Sequence, residues 1–232
     1  MLAALPHTDY QLLLPRLSTV QLPQGELLYE AEAEVEQAYF PLSGMISMLV
    51  VMGDGRTIET ATVGREGMVG AMSGFRLHIS KVRVVVQLPI FASKIPSAAL
   101  RKVVVGSKSV ADLCLGYNEV LLGQARITAA CNAVHHVQQR FCRWLLQTRD
   151  RAESDSFGLT QEFLAEMLGV RRTSVTEVAS KIQASGAISY SRGHIKIIDL
   201  EKLKAISCEC YQMPESGADP GWSVCGPFNS RG

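Results

Sequence analysis

The sequence lacks any apolar stretch long enough to cross a membrane. A transmembrane helix needs about twenty consecutive apolar residues, and no such window occurs. The first residues also lack the basic leader and the apolar core of a signal peptide, and they carry Asp9. We therefore expect a protein of the cytoplasm that has no membrane partner.

The usual catalytic motifs are missing too. The chain has no Gly-Lys-Ser/Thr phosphate loop, no His-Glu-x-x-His zinc motif and no nucleophile elbow. A general excess of positive charge is also missing, because 23 Lys and Arg stand against 22 Asp and Glu. We expect a protein that is not an enzyme, and a nucleic-acid partner would have to be attracted by a local cluster of basic residues.

Cysteine is scarce and late in the chain. The six cysteines are Cys114, Cys131, Cys142, Cys208, Cys210 and Cys225. They do not form the dense pattern of a small secreted protein, so we expect reduced thiols and neither a metal nor another cofactor. Two alternatives remain for Cys208 and Cys210: a redox switch, or a metal site shared with Cys225. Two thiols alone are too few ligands for a tetrahedral metal site.

Residues 18 to 94 are predicted to be short strands separated by turns. Apolar runs alternate with breaks rich in Gly and Pro, and Gly53-Asp54-Gly55 is typical of a hairpin turn. Many short strands with turns about every ten residues predict a β-sandwich or barrel. Pro96 then begins a helix, and we expect a β-rich domain over residues 1–106.

Residues 107–150 are predicted to be one long helix, since no proline interrupts them. One series of residues recurs every seven positions, and a second series follows it by four residues. Together they comprise Leu113, Tyr117, Val120, Gln124, Ile127, Cys131 and Val134. This heptad pattern is typical of two parallel helices packed together. We expect a homodimer through these seven residues, with burial inside one monomer as the alternative. The neighbouring His135 and His136 would face different directions, one packed and one exposed.

The stretch from Leu159 to Leu203 predicts a helix-turn-helix followed by a two-stranded wing. Its expected buried positions are Leu164, Leu168, Val170, Val175 and Val178. Ala165 is small where the two helices would touch, and Gly169 suits a left-handed turn. We expect a DNA-binding domain over residues 151–207 and a loose tail over residues 208–232. The alternative is an ordinary helical hairpin with a basic face.

The second of these helices begins with two arginines and is rich in hydroxyl groups, which can reach phosphates and base edges in a major groove. Arg172 is the candidate for base recognition and Arg171 for phosphate binding. The expected DNA-binding residues are Thr160, Gln161, Arg171, Arg172, Thr173, Ser174, Thr176, Lys181, Arg192 and His194. For Lys181 an ion pair with Glu177 is the alternative.

In this order of elements the chain resembles the Crp/Fnr superfamily of bacterial transcription regulators. The resemblance is carried by YFPLSG at residues 39–44, GREGMVG at residues 64–70, and the segments 131–151 and 159–176. It implies an α+β protein with a cyclic-nucleotide-binding-like β jelly roll, a long dimerisation helix and a C-terminal winged helix-turn-helix. It also implies a homodimer on a palindromic site, with double-stranded DNA and RNA polymerase as partners.

Two departures from the family pattern are visible. Gly70-Ala71-Met72 replaces the Gly-Glu-Leu turn whose carboxylate holds the ribose, and Ser80-Lys81-Val82 stands where the family has its phosphate-binding Arg. We therefore do not expect a cyclic nucleotide ligand. The recognition helix keeps Arg172 but has Thr173 and Glu177 at two other typical positions, which predicts a different operator. The alternative function is a small-molecule or redox sensor. In such a sensor DNA binding would be the output, or would have been lost.

Overall fold

The N-terminal half of the protein is a β roll. The computed structural model describes residues 1–75 and 78–213. The strands of the roll are β1 (Ser18–Leu22), β2 (Leu27–Tyr29), β3 (Gln37–Val51), β4 (Thr57–Val63) and β5 (Arg83–Pro96). They pair antiparallel in the order β1-β5-β3-β4, and β2 also pairs with β5. The β-rich domain expected from the turn spacing is confirmed.

Strands β3 and β5, of 15 and 14 residues, are longer than the short strands that the turn spacing predicts. Their pairing shifts register between Pro41 and Ile46. Such bulges let a strand bend and continue. Gly44 lies in this segment with a φ of 74°, and an added Cβ there would overlap the backbone of Pro89. The glycine lets the two long strands approach each other at the bend.

Helices enclose the roll and form most of the C-terminal half. They are α1 (His7–Leu13), α2 (Ser97–Gly106), α3 (Lys108–Val134), α4 (Val137–Ala152), α5 (Gln161–Leu168), α6 (Arg172–Ala184) and α7 (Leu200–Ile206). A second sheet contains β6 (Ser156–Gly158), β7 (Ile188–Ser191) and β8 (His194–Ile197) in the order β6-β8-β7. Within residues 1–75 and 78–213, no helix combines the length and the apolar character that a membrane span requires.

The prediction of a single helix over residues 107–150 is wrong. The backbone leaves helical geometry at His135 (φ −105°, ψ 143°) and His136 (φ −65°, ψ 151°) before α4 begins. His136 and Gln139 form a capping box, in which the backbone N–H of His136 donates to Oε1 of Gln139 at 3.2 Å. This cap makes a helix start favourable without a proline or glycine. His135 is packed and His136 is exposed, as expected.

Five of the seven heptad residues of α3 point into their own chain, so the assignment of these five to a dimer interface is corrected. Buried among them are Leu113, Tyr117, Val120, Gln124 and Cys131. Tyr117 packs directly on Gly67, and Oε1 of Gln124 accepts the backbone N–H of Thr62 at 3.0 Å. A heptad pattern identifies an apolar stripe but not its partner, and here the partner is mostly the β roll. Of the remaining two residues, Ile127 is partly buried and Val134 is exposed.

The segment after α7 departs from the expected tail. Cys208 and Cys210 are buried, and Glu209–Tyr211 forms a 3₁₀ turn. The hydroxyl of Tyr211 donates to Oδ2 of Asp150 on α4 at 2.9 Å. Residues 208 to 213 therefore pack against the protein, while the rest of the predicted tail, with Cys225, lies outside the described residues.

Candidate nucleic-acid interface

Helices α5 and α6 form a helix-turn-helix whose ends are fixed by local chemistry. The side chain of Thr160 accepts the backbone N–H of Phe163 at 3.2 Å and caps α5. Gly169 ends α5 in the left-handed region with a φ of 62°. The backbone N–H of Val170 then bonds to the carbonyl of Ala165 at 3.0 Å, which completes the turn. The turn glycine expected from the sequence is confirmed.

Apolar packing holds the two helices together. Of the five positions expected to be buried, Leu164, Leu168, Val175 and Val178 are buried, and Val170 is partly buried. Ala165 is buried where the helices approach each other. This packing fixes the direction of α6, so the opposite face of the helix presents its side chains as a rigid set.

The exposed face of α6 carries the basic and hydroxyl residues that are predicted from the sequence to bind DNA. Arg171 is at the N-cap position, and its side chain makes no capping hydrogen bond. The other exposed candidates on this helix are Arg172, Thr173, Thr176 and Lys181, and Ser174 is half-buried. Thirteen residues make α6 about 20 Å long, which suits the major groove of DNA.

Two contacts between α5 and α6 hold candidate residues in place. Nη1 of Arg172 lies 3.0 Å from Oε1 of Glu162, and both side chains are largely exposed. The hydroxyl of Thr176 donates to Oε1 of Gln161 at 2.9 Å. A phosphate or base that binds Arg172 competes with Glu162 for the same guanidinium.

The wing lies beside the N-terminal end of α5. Arg192 and Gly193 at its tip both have positive φ angles, of 49° and 76°, as in the two-residue hairpin turns with left-handed residues. The hydroxyl of Tyr190 donates to the carbonyl of Leu159 at 2.9 Å. An added Cβ on Gly193 would lie 3.8 Å from the side chain of Thr160. The structure therefore brings the wing tip, with the exposed Arg192, next to the start of α5.

Two exposed residues on the same surface were not predicted. Ser180 follows Arg172 and Thr176 at intervals of four along α6, and Lys196 follows the exposed His194 by two along β8. Residues four apart on a helix and two apart on a strand share a face. Extending these two periodicities by one step would have identified both residues.

The helix-turn-helix also contacts the β roll. The hydroxyl of Thr57 on β4 donates to Oε1 of Glu166 on α5 at 3.0 Å. The side chain of Ile58 packs at Gly169, where an added Cβ would lie 3.1 Å from it. These contacts connect β4 to α5 and to the turn that precedes α6.

A buried carboxylate links the roll to α4. Glu59 accepts the hydroxyl of Ser47 at 2.6 Å and the indole N–H of Trp144 at 2.8 Å. Burial raises the pKa of Glu59 to about 7, although both hydrogen bonds act in the opposite direction. Burial therefore moves the titration of this side chain from the acidic range toward neutral pH.

Surface carboxylates pair with Lys81, which stands where the family has its phosphate-binding Arg, and with the neighbouring Arg83. Lys81 lies 3.0 Å from Glu32, and Arg83 lies 3.0 Å from Glu30. The side chain of Lys81 is 75% exposed, so it is not directed into the roll. Neither residue is placed as the fixed buried cation that a bound phosphate group needs.

Two domain families match the chain. Residues 139–206 match the Crp-like helix-turn-helix domain, and residues 19–106 match the cyclic nucleotide-binding domain. No curated protein sequence matches. The two matched segments correspond to the helix-turn-helix region and to the β roll.

Solved structures share the fold over most of both chains. A protein described as a transcriptional regulator of the crp/fnr family from Eubacterium rectale is 18% identical, with a TM-score of 0.71 over 88% of this chain and 95% of its own. FixK2 from Bradyrhizobium japonicum is 16% identical, with a TM-score of 0.70 over 83% and 98%. CLP from Xanthomonas campestris, a c-di-GMP-responsive global regulator, is 17% identical, with a TM-score of 0.66 over 83% and 99%.

Proposed function

This chain belongs to the Crp/Fnr family of transcription regulators, and we propose that it acts as a homodimer that recognises a palindromic DNA site through α6. The exposed row of Arg and hydroxyl side chains on α6, held rigid by its buried face, carries this proposal. Arg172 would donate two hydrogen bonds to a guanine, the commonest specific contact of this kind. Arg171, Thr160 and Arg192 would bind phosphates around it.

The exposed side of α3 is our proposed dimer interface. Leu115 is 44% exposed and Leu122 is 39% exposed, and Ala129 follows at the same interval of seven residues. Large exposed apolar side chains in a heptad register are typical of a helix that pairs with a second copy. This stripe replaces the buried stripe that the sequence suggested, and it lies on the opposite side of the same helix.

A two-fold dimer would present two α6 helices to one face of DNA. Half-sites one helical turn apart, about 34 Å, would then carry inverted copies of one sequence. We further propose that the protein works in the cytoplasm, that it affects RNA polymerase at its operators, and that its signal is not a cyclic nucleotide.

Selection of genomic fragments by the purified protein, followed by gel shifts against competitor DNA at about 0.15 M salt, tests the proposal. Arg172→Ala should weaken binding to the selected site by roughly 1–3 kcal/mol, about 5- to 150-fold, and should change binding to random DNA little. Arg16→Ala, an exposed arginine of the N-terminal region, is the matched control and should bind as the wild type does. Equal binding to selected and random DNA would contradict the proposal.

A further inference from the structure

Four side chains with metal-binding atoms converge where α3 ends. Cys131 and His135 come from the end of α3, and Cys208 and Cys210 come from the segment after α7. Their sulfur and imidazole nitrogen atoms all lie within 4.8 Å of one another. The Sγ atoms of Cys131 and Cys208 are 3.5 Å apart, and Sγ of Cys210 is 3.7 Å from Nδ1 of His135.

We propose that these four residues bind one tetrahedral metal ion, most suitably Zn²⁺. Around zinc, Zn–S bonds of about 2.3 Å place two sulfurs about 3.8 Å apart at the corners of a tetrahedron. The separation of the two sulfurs is close to that value. The Sγ–Nδ1 separation is close to the roughly 3.6 Å expected when the nitrogen is bound to the same ion at about 2.0–2.1 Å. Three thiolates and one imidazole are also a common ligand set of structural zinc sites.

A carboxylate next to the site supports the role of His135. Nε2 of His135 lies 3.1 Å from Oε2 of Glu209 while Nδ1 faces the sulfurs. Metal-binding histidines usually donate their other ring N–H to a carboxylate or carbonyl, which fixes the tautomer and the ring orientation. Glu209 is thus a positioning residue, which acts on the metal through the imidazole.

The charge around the site suits the complex. Zn²⁺ with three thiolates carries one net negative charge, and the buried Arg140 and Arg143 are close enough to interact electrostatically with the cysteines. Within residues 1–75 and 78–213, the Nε atom of each arginine has no hydrogen-bond partner. A buried anionic centre would give Arg140 a counter-charge that the thiols alone do not supply, and for Arg143 it would add to the electrostatic interaction with Glu59.

The ligand geometry favours a single ion over the other thiol chemistries. An iron–sulfur cluster inserts several atoms between its ligands, and four atoms within 4.8 Å of one another leave no room for it. A disulfide between Cys131 and Cys208 would use only two of the four residues and would need an external oxidant. The participation of His135 and its Glu209 partner is explained by a metal.

A metal here would join distant parts of the chain. Cys131 and Cys208 are 77 residues apart, and the intervening segment contains α4 and the whole winged helix-turn-helix. The ion would therefore fix the C-terminal segment to α3 and restrict how the helix-turn-helix moves relative to the β roll. Only this consequence for DNA binding rests on the proposed function; the site itself does not.

Titration of the full-length, reduced protein with Co²⁺ and Zn²⁺ tests the site. We expect one Co²⁺ per chain, with thiolate-to-cobalt charge-transfer bands and intense tetrahedral d–d bands that one equivalent of Zn²⁺ abolishes. Zn²⁺ should also raise the Tm of the wild-type protein, because binding to the folded state alone stabilises it. Failure of both ions to bind to the folded wild-type protein would overturn the proposal.

Variants identify the ligands. Cys208→Ser and His135→Ala should lose the tetrahedral cobalt spectrum, whereas Cys142→Ser, which alters a buried cysteine outside the four-residue cluster, should keep it. Cys225→Ser should also keep it, and loss of the spectrum there would overturn the four-residue assignment. Glu209→Gln should weaken Zn²⁺ binding about tenfold or more and leave the cobalt spectrum tetrahedral. This exposed residue leaves the ligands and the core intact, so its variant answers the question even if a cysteine variant fails to fold.

Discussion

Helices α3 and α6 each bury one face within the chain, but their exposed faces differ in chemistry. The outward face of α6 carries Arg172, Thr173 and Thr176, whereas the outward face of α3 carries Leu115 and Leu122. Polar, positively charged side chains suit a partner made of phosphates and base edges. Large apolar side chains suit a partner that is itself apolar.

This difference indicates two kinds of partner on one chain. DNA is the partner proposed for α6, and a second copy of the chain is the one proposed for α3. The inward faces have a third task, because they build the fold itself. Variants of each face should therefore change a different measured quantity.

The largest effect is expected for the outward face of α3. Leu115→Asp combined with Leu122→Asp places like charges opposite each other in the proposed dimer, and should raise its dissociation constant about a thousandfold, ~4 kcal/mol. Sedimentation equilibrium measures this directly. Leu42→Asp, which alters an equally exposed leucine on β3, should leave the dimer intact. An unchanged dimer in the double variant would mean that the outward face of α3 is not the dimer interface.

The link between the roll and α4 should make stability depend on pH. Glu59 has a folded-state pKa of about 7, above its ordinary 4.5. The folded protein therefore holds a proton that the unfolded chain releases, so this contribution is complete below about pH 4.5 and is lost as the pH rises through 7. Glu59→Gln mimics the protonated form and should lose this dependence.

Urea unfolding of both proteins at pH 4 and pH 8 measures the effect. As the pH rises from 4 to 8, the free energy of unfolding of the variant should increase by about 3 kcal/mol relative to that of the wild type. Parallel pH profiles would mean that Glu59 does not titrate in this range.

The inward face of α3 should affect stability. In Gly67→Ala the new methyl group overlaps the ring of Tyr117, and such overpacking costs about 1–3 kcal/mol. Gly53→Ala is the matched control, because an added Cβ there meets nothing within 4 Å. Thermal and urea unfolding should separate the two variants. If both are equally stable, the packing of Tyr117 on Gly67 does not stabilise the fold.

The smallest effect is expected for the ion pair between Glu162 of α5 and Arg172 of α6. Glu162→Gln frees Arg172 and removes a negative charge beside the DNA, so the affinity for the selected site should rise about two- to fivefold. Glu201→Gln, which breaks a similar exposed pair with Lys204 on α7, should not change it. Fluorescence anisotropy at fixed salt resolves the difference, and a weaker complex would mean that Glu162 itself contacts DNA.

Local features were predictable from the sequence. The cap at Thr160, the left-handed turn at Gly169 and the wing turn at Arg192-Gly193 each depend on a few neighbouring residues. Their chemistry is therefore visible in a short segment. The exposed residues of α6 follow from the same local periodicity.

Features that depend on distant contacts were not predictable. The heptad stripe of α3 was found, but its partner in the β roll is set by contacts such as that of Tyr117 with Gly67, fifty residues away. In the sequence, the near neighbour of His135 is His136, and the cysteines that follow Cys208 are Cys210 and Cys225. The fold brings His135, Cys131, Cys208 and Cys210 together, and no spacing in the sequence announces that cluster.

Footprinting of the purified protein on its best selected fragment tests the central claim most directly. We expect protection of two inverted half-sites whose centres lie one helical turn apart, about 10 base pairs, on one face of the duplex. Arg172→Ala should raise the protein concentration needed for protection about 5- to 150-fold, and should do so at both half-sites together. Protection of a single unrepeated site, or none that depends on Arg172, would contradict a dimer that reads DNA with α6.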